Sequence, residues 1–197
     1  MGKYIKTFGH HSDYLDFLET SDFIMPNVSY CEDVTDEVHY NPLVSKIIAT
    51  FSLSSAGSTR IYCWDDYEYS PVFGVNMFSD IEIDGVSVSV ADLDAAQGMY
   101  NLSSGQHTVT YTLISPSEVP YSTFYSCDKI TAVTIPEGVS VINNGAFCGC
   151  ANLVSVTIPS TLTEIYDCSF NGCNNLNSTS RQALIDIGGS MIFECAG

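Results

Sequence analysis

Cysteine is the residue type in this chain that could most directly do chemistry, because thiolates bind zinc and act as nucleophiles. The chain has eight cysteines, and four lie close enough in sequence to suggest a zinc site: Cys148, Cys150, Cys168 and Cys173. However, Cys127, Cys150 and Cys173 are spaced by 23 residues and so occupy one position of a repeat. Without the repeat cysteines no four-ligand spacing remains. We therefore expect core thiols and no metal, with a disulfide as the alternative after release into an oxidising medium.

Carboxylates give a second candidate site. Asp80, Glu82 and Asp84 alternate along a predicted strand, so all three side chains should point to one face. Calcium takes such oxygen ligands, but no D-x-D-x-D-G loop accompanies them. A solvated sheet face opposite Ile81 and Ile83 is the simpler interpretation. Catalytic acid–base pairing would need a cleft and a raised pKa, and the sequence indicates neither.

Histidine and serine do not form a recognisable catalytic motif. The four histidines, His10, His11, His39 and His107, fall outside any H-E-x-x-H pattern, and the serines fall outside any G-x-S-x-G pattern. Glycine-rich phosphate loops are also missing from the sequence. We therefore predict structural roles for the histidines, no enzymatic activity and no cofactor.

An aromatic cluster is the best candidate for a ligand contact. It consists of Tyr62, Trp64, Tyr67 and Tyr69. Aromatic rings with polar tips could stack on the faces of sugar rings, which makes this cluster the predicted glycan contact. Packing in the core and at the edge of a β domain is the alternative interpretation.

The charge of the chain excludes several classes of partner. It carries 6 Lys and Arg against 23 Asp and Glu, for a formal net charge of −17. Such a chain repels phosphate backbones and anionic membranes, and no apolar run reaches the roughly 18 residues of a spanning helix. The opening residues MGKYIKTFGHHSDY have no apolar segment typical of a signal peptide, so we expect folding in a reducing cytoplasm.

A repeat of 23 residues is the strongest signal in the sequence. Phe124, Phe147 and Phe170 are spaced by this step. The same step relates Cys127 to Cys150 and Cys173, Ile130 to Leu153 and Leu176, Val133 to Val156, Ile135 to Ile158, Pro136 to Pro159, Val139 to Leu162 and Ile142 to Ile165. A fixed period of this length indicates a solenoid, in which each coil buries its apolar side against its neighbours. The three phenylalanines and the three repeat cysteines are the predicted core.

Two runs of sequence resemble the BspA-type leucine-rich repeat: TFYSCDKITAVTIPEGVSVI and AFCGCANLVSVTIPSTLTEI. The resemblance covers residues 122–177. It implies an adhesive or interaction module, found on bacterial surfaces or in phages and other large assemblies. About two and a half coils need caps. We expect the segment 180–197, with Ile185, Ile187, Ile192 and Phe193, to close one end, and the preceding domain to close the other. A partner subunit is the alternative cap for either end.

Residues 46–115 alternate between apolar and polar residues in short stretches, which is typical of β-strands. Asp84-Gly85 predicts a type I′ hairpin that pairs Ile83 with Val86 and Ile81 with Val88. The run GQHTVTYTL resembles the last strand of bacterial immunoglobulin-like domains. The predicted fold is therefore mostly β: an N-terminal arm (1–42), a small Ig-like antiparallel β-sandwich (43–116) and a short leucine-rich repeat module with its cap (117–197).

The run PNVSYCEDVTDEVHYNP, at residues 26–42, carries a second resemblance. Followed by a sandwich and BspA-type repeats, it resembles virion-associated proteins of tailed phages and prophages of gut anaerobes. The resemblance implies that the arm attaches the protein to a particle. The predicted attachment and subunit contacts are Tyr14, Phe17, Val28, Tyr30, Val38 and Tyr40. Packing of the arm on the sandwich is the alternative interpretation.

These observations together predict a non-enzymatic structural protein of a phage virion, made in the host cytoplasm. It would be a capsid-surface decoration, a head fibre or a tail component. Its expected partners are other virion proteins, further copies of itself and a host-surface glycan or protein, but neither nucleic acid nor membrane. The alternative is a bacterial cell-surface adhesin or glycan-binding module, which explains the repeats and the cluster around Trp64.

Overall fold

A mixed six-stranded β-sheet is the largest element of the structure, a computed structural model that describes residues 45–64 and 74–195. In chain order the strands are β1 (Lys46–Leu53), β2 (Gly57–Arg60), β3 (Phe78–Ile83), β4 (Val86–Val88), β5 (Met99–Leu102), β6 (Gly105–Leu113), β7 (Glu118–Val119), β8 (Ile130–Thr134), β9 (Val141–Ile142), β10 (Ser155–Thr157) and β11 (Glu164–Ile165). The helices are α1 (Gly74–Met77), α2 (Val90–Ala95) and α3 (Ser178–Gly188), and a 3-10 helix spans Ser190–Phe193.

The large sheet has the order β10-β8-β1-β6-β3-β4. Its strands alternate between a buried and an outward face, because successive side chains of a strand point to opposite sides. In β1, Ile47 and Phe51 are fully buried, whereas Ile48 is exposed. In β6, Val109 and Tyr111 are fully buried. Each such buried side chain contributes roughly 1.5–3 kcal/mol to folding.

The predicted hairpin between β3 and β4 is confirmed in its register. Ile81 pairs with Val88 and Ile83 pairs with Val86. Asp84 and Gly85 have φ angles of 51° and 80°, as a type I′ turn requires. Ile81 and Ile83 are buried, but Val86 is exposed because β4 forms the edge of the sheet.

The structure is mostly β, but one sheet crosses the expected boundary at residue 116. Strand β1 pairs antiparallel with β6 on one side and with β8 on the other, and Ala49 lies opposite Val133. Strands β2 and β5 pair in a separate two-stranded sheet. The Ig-like topology proposed for residues 43–116 therefore stays a prediction, while the strands of that segment and the first repeat strand share one sheet.

The repeat segment forms parallel ladders with the 23-residue step read from the sequence. Strand β10 pairs parallel with β8, with Val156 opposite Val133. Strands β7, β9 and β11 form a second parallel sheet, in which Val119, Ile142 and Ile165 are successive partners. We number the coils 1 (117–139), 2 (140–162) and 3 (163–185). The predicted repeat architecture is thereby confirmed.

Helix α3 occupies the place of a strand in coil 3. It begins at Ser178, which lies 23 residues after Ser155 of β10. The Ser180 hydroxyl accepts a hydrogen bond from the Val156 amide at 3.0 Å and donates one to its carbonyl at 3.3 Å. The helix start therefore satisfies polar groups at the edge of β10 that would otherwise be open.

The C-terminal segment packs on the last coil. Leu184 and Ile192 are fully buried, and Ile187 and Phe193 are partly buried against the core. Ile185 is half-buried. Residues Val44–Gly197 form one compact unit. Among the described helices, none has the length and apolar composition needed to cross a bilayer.

Candidate functional site

A stack of phenylalanine rings runs through the repeats. Phe124, Phe147 and Phe170 are fully buried. Successive ring centroids are 5.1 Å apart, with interplanar angles of 18° and 12°. Since neighbouring strands are about 4.8 Å apart, one ring per coil produces a stacked column. These three side chains therefore fill the interior of the repeats.

The column has a fourth phenylalanine that the sequence analysis assigned only to the cap. Phe193 lies 23 residues after Phe170, and their centroids are 6.2 Å apart at 46°. The amide of one coil donates to a carbonyl of the next at each step: Phe124 to Ala146 at 2.7 Å, Phe147 to Ser169 at 2.8 Å and Phe170 to Ile192 at 2.9 Å. The spacing itself was the signal that could have placed Phe193 in the repeat.

At its other end the column continues into the preceding strands. The rings of Tyr111 and Phe124 have centroids 5.0 Å apart at 73°. Phe78 lies 5.0 Å from Tyr111, and Tyr62 lies 5.7 Å from Phe78. The Tyr111 hydroxyl donates to the Ile61 carbonyl at 2.5 Å. Residues before 117 therefore close the N-terminal end of the solenoid. This agrees with the expectation that the preceding domain caps the repeats.

The three repeat cysteines form a buried ladder beside the rings. Cys127, Cys150 and Cys173 are at most 1% exposed. The Cys150 thiol donates to the Phe124 carbonyl, and the Cys173 thiol donates to the Phe147 carbonyl, both at 3.1 Å. Burial raises the pKa of Cys127 and Cys150 well above its usual range and that of Cys173 to about 12. Protonated thiols of this kind are donors that satisfy buried carbonyls, not nucleophiles.

Two other cysteines depart from the expected thiol state. A disulfide joins Cys168 of coil 3 to Cys195, whose Cα atoms are 4.8 Å apart. The residues after α3 return alongside coil 3, which brings these two positions together. Cys148 is a half-buried thiol. Within 45–64 and 74–195, no three His, Cys, Asp or Glu side chains are grouped so that they could hold a metal ion.

The acidic row on β3 is paired with basic side chains. The Lys46 ammonium lies 2.8 Å from a Glu82 carboxylate oxygen, and this hydrogen bond raises the pKa of Lys46. Asp80 adds a weaker attraction to the same ammonium. Asp84 contacts His107 instead. Lys46 and His107 are thus the basic partners of Glu82 and Asp84.

Asp84, His107 and Ser103 form a connected polar group between two turns. His107 Nδ1 lies 2.7 Å from Asp84 Oδ2, and the Thr108 amide donates to Asp84 Oδ1 at 2.9 Å. The hydrogen bond from His107 and that from Thr108 lower the pKa of Asp84. The hydrogen bond to Asp84 raises the pKa of His107. The carboxylate therefore favours the imidazolium form of His107.

This arrangement has the residue types of a hydrolase triad but not its hydrogen bonding. His107 Nε2 lies 3.1 Å from both the hydroxyl and the carbonyl oxygen of Ser103. A catalytic base must accept the serine proton at Nε2. The carbonyl at the same distance requires a donor there, so Nε2–H is the form that satisfies both oxygens. The group is a clamp between the β3–β4 turn and the start of β6.

The predicted glycan cluster is not an exposed platform in its described part. Tyr62 is fully buried, which contradicts a surface contact at that residue. Its hydroxyl donates to Asp94 at 2.7 Å, and burial raises its pKa. Trp64 is partly buried against the core. Tyr67 and Tyr69 lie outside the described residues, as do the six predicted attachment residues: Tyr14, Phe17, Val28, Tyr30, Val38 and Tyr40.

Two tyrosines of the repeat segment are exposed and were missed by the sequence analysis. Tyr121 and Tyr166 are 54% and 45% exposed. Tyr121 lies two residues after β7 and Tyr166 lies one residue after β11, so both lie near one end of the same three-stranded sheet, at neighbouring rather than equivalent repeat positions. A hydrogen bond to Glu164 raises the pKa of Tyr166. We call Tyr121 and Tyr166 the tyrosine surface.

Comparison with protein-family models gives a match in the repeat segment. Residues 117–197 match the family model described as the BspA type Leucine rich repeat region (6 copies). No curated protein and no solved structure matches the chain. The match spans the ring column, the cysteine ladder and the C-terminal cap. Residues 117–197 are therefore a BspA-type leucine-rich repeat region.

Proposed function

We propose that this protein is a non-enzymatic interaction module of the surface-adhesion type. The observation that carries the proposal is the BspA-type repeat region at residues 117–197. The buried contents of its coils are phenylalanine rings and protonated thiols, which are packing groups. A partner would therefore bind to the outer surface of the coils, as in other solenoids.

The tyrosine surface is the contact that the geometry supports best. Tyr121 and Tyr166 follow strands β7 and β11, which lie two strand spacings apart, roughly 10 Å. Exposed tyrosines present a flat apolar ring and a hydroxyl, and they are enriched in binding surfaces. Glu164, next to Tyr166, adds a hydrogen-bond acceptor. A host-surface glycan or protein is the partner proposed for this surface.

The double substitution Tyr121→Ala and Tyr166→Ala tests this contact. We expect binding of the labelled protein to host cells or to a glycan array to fall at least tenfold, as for the loss of two aromatic contacts of about 1 kcal/mol or more each. Val86→Ala is the control. Val86 is 67% exposed and lies on strand β4 of the six-stranded sheet, away from the tyrosine surface. Unchanged binding by the double variant would remove the tyrosine surface from the proposal.

We infer further that the protein is a component of a phage particle and attaches through residues 1–42. The support is the resemblance of the run at 26–42 to virion-associated proteins of tailed phages. The compact unit Val44–Gly197 would then be the displayed part. Particle positions are symmetric, so several copies and contacts with other virion proteins are expected. A bacterial surface adhesin is the alternative.

Deletion of residues 1–42 tests the particle role. We expect the remainder to stay folded, by circular dichroism, and to be missing from particles purified on a density gradient. Full-length protein in the same preparation is the control. If the protein without residues 1–42 still co-purified with particles, the attachment role of those residues would be contradicted. Full-length protein found in bacterial surface fractions and not in particles would favour the adhesin.

A further inference from the structure

The last described residues begin a further coil, which we call the half-coil (190–195). Its Phe193 continues the ring column. The Phe170 amide donates to the Ile192 carbonyl at 2.9 Å, and the Cys168 amide donates to the Met191 carbonyl at 3.3 Å. Ile192 is fully buried. The half-coil therefore pairs with coil 3 through the same ladder that joins the complete coils.

The attachment of the half-coil is weaker than the joints between complete coils. It follows Gly189, whose φ of 72° places a conformationally free residue directly before it. The Phe193 ring is tilted by 46° and is partly exposed, with the Arg181 guanidinium 3.9 Å from its centroid. A short segment that is held by a few backbone hydrogen bonds and has one tilted, partly exposed ring opens at a low free-energy cost.

A covalent bond lies where this opening would occur. The disulfide joins Cys168 of coil 3 to Cys195, the last residue of the half-coil, across a sequence separation of 27. Cys195 is exposed and Cys168 is half-buried, so a reductant can reach the bond. The Asn171 amide donates to the Cys195 sulfur at 3.3 Å. The bond ties down the segment that is otherwise easiest to release.

We propose that the Cys168–Cys195 disulfide is a redox latch on the C-terminal end of the solenoid. The oxidised protein holds the half-coil on coil 3, and reduction releases it. Release uncovers the outer face of the Phe170 ring and the amides of Cys168 and Phe170, which is the surface on which a further coil would stack. This inference does not depend on the proposed adhesion or particle role.

A dithiol is the reductant that the latch requires. One of its thiolates attacks the Cys195 sulfur, which forms a mixed disulfide and expels Cys168 as a thiolate that takes up a proton. The second thiol of the reductant, as a thiolate, then attacks the reductant's own sulfur in the mixed disulfide and expels Cys195 as a thiolate, which takes up a proton. The products are the oxidised dithiol and two cysteine thiols, so two electrons pass from the reductant to the protein.

Hydrogen exchange on the full chain tests the latch. We expect the amides of Cys168 and Phe170 and those of residues 190–195 to exchange roughly tenfold faster or more after dithiothreitol treatment. The Phe147 amide, inside the complete coils, should not change. The double variant Cys168→Ser and Cys195→Ser should behave as the reduced protein with or without reductant. Cys148→Ser is the control, since it removes a thiol and leaves the bond.

Peptide mapping under non-reducing conditions completes the test. The oxidised protein should give a peptide pair linked through Cys168 and Cys195. Failure to find that pair overturns the proposal, and so does equal exchange of residues 190–195 in oxidised and reduced wild-type protein. The wild-type comparison decides the question even if the double variant does not fold.

Discussion

The ring of Tyr111 lies edge-on against the ring of Phe124, with the centroids 5.0 Å apart. Tyr111 belongs to β6, and Phe124 belongs to the first coil of the repeats. Strand β1 joins the same two parts by pairing with both β6 and β8. The strands before residue 117 and the repeats therefore share one core. The strands cover the first coil, and the first coil covers the apolar side of the strands.

Replacement of a ring inside the column should destabilise the whole unit. Phe147→Ala removes the ring that stacks on both Phe124 and Phe170. We expect the free energy of unfolding to fall by about 3–5 kcal/mol, because the cavity has stacked rings on two sides that cannot collapse into it. Urea unfolding of the variant measures the loss. Tyr121→Ala, at an exposed ring, should change it by less than about 0.5 kcal/mol; similar losses for both variants would contradict the column.

The cysteine ladder should be sensitive to the loss of its hydrogen-bond donor. Cys150→Ala leaves the Phe124 carbonyl without its thiol partner, so we expect a loss of about 1–3 kcal/mol. Cys150→Ser keeps a donor of similar size and should lose less. The two variants are compared by urea unfolding under reducing conditions. If serine proved worse than alanine, the thiol would act by its apolar bulk alone.

The clamp between Asp84 and His107 should make stability depend on pH. The pKa of His107 is raised above 6.5, so its contribution is complete below pH 6.5 and is lost as the pH rises through the folded-state value. The pKa of Asp84 is lowered below 3.8, so its contribution is present above pH 3.8 and is lost as the pH falls through the lower folded-state value. The pair therefore stabilises most between these limits.

The measurement is the urea midpoint of the wild type and of His107→Asn at pH 5.5 and pH 9. We expect the difference between the two proteins to shrink from pH 5.5 towards pH 9, because the contribution of the raised His107 pKa is lost as the pH rises through the folded-state value. Lys46→Gln is the control, because the pKa of Lys46 is raised above 10.5 and lies outside this range. A difference that stays constant with pH would mean that His107 acts only through packing.

Two glycines with positive φ should respond differently to alanine. A Cβ at Gly98 would lie 2.4 Å from the Tyr62 carbonyl oxygen, whereas a Cβ at Gly85 meets no heavy atom within 4 Å. Gly85→Ala should cost about 1 kcal/mol from backbone strain, and Gly98→Ala should cost more, since the clash adds to the strain. Thermal unfolding ranks the two. Equal costs would show that strand β5 can move away from Tyr62.

The sequence predicted those features that depend on local spacing. The 23-residue step placed Phe124, Phe147 and Phe170, and the Asp84-Gly85 turn defined a hairpin with its register. Phe193 was missed because helix α3 interrupts the strand pattern before it.

Features that depend on distant pairing were not predictable in the same way. Ala49 of β1 and Val133 of β8 are far apart in sequence, and no local pattern shows that they pair. The burial of Tyr62 depends on Asp94, which accepts its hydroxyl hydrogen bond from 32 residues away. Long-range pairings of this kind follow from how elements fit together and leave no periodic signal.

The most direct measurement is native-state hydrogen exchange at the two parts of the shared core. The amide of Val109 reports on β6 and the amide of Phe147 reports on the repeats. Because the ring column and strand β1 join these parts, both amides should exchange through one global opening, with the same free energy and the same dependence on urea. A Val109 amide that stays protected while the Phe147 amide exchanges through a separate, lower-energy opening would contradict a shared core.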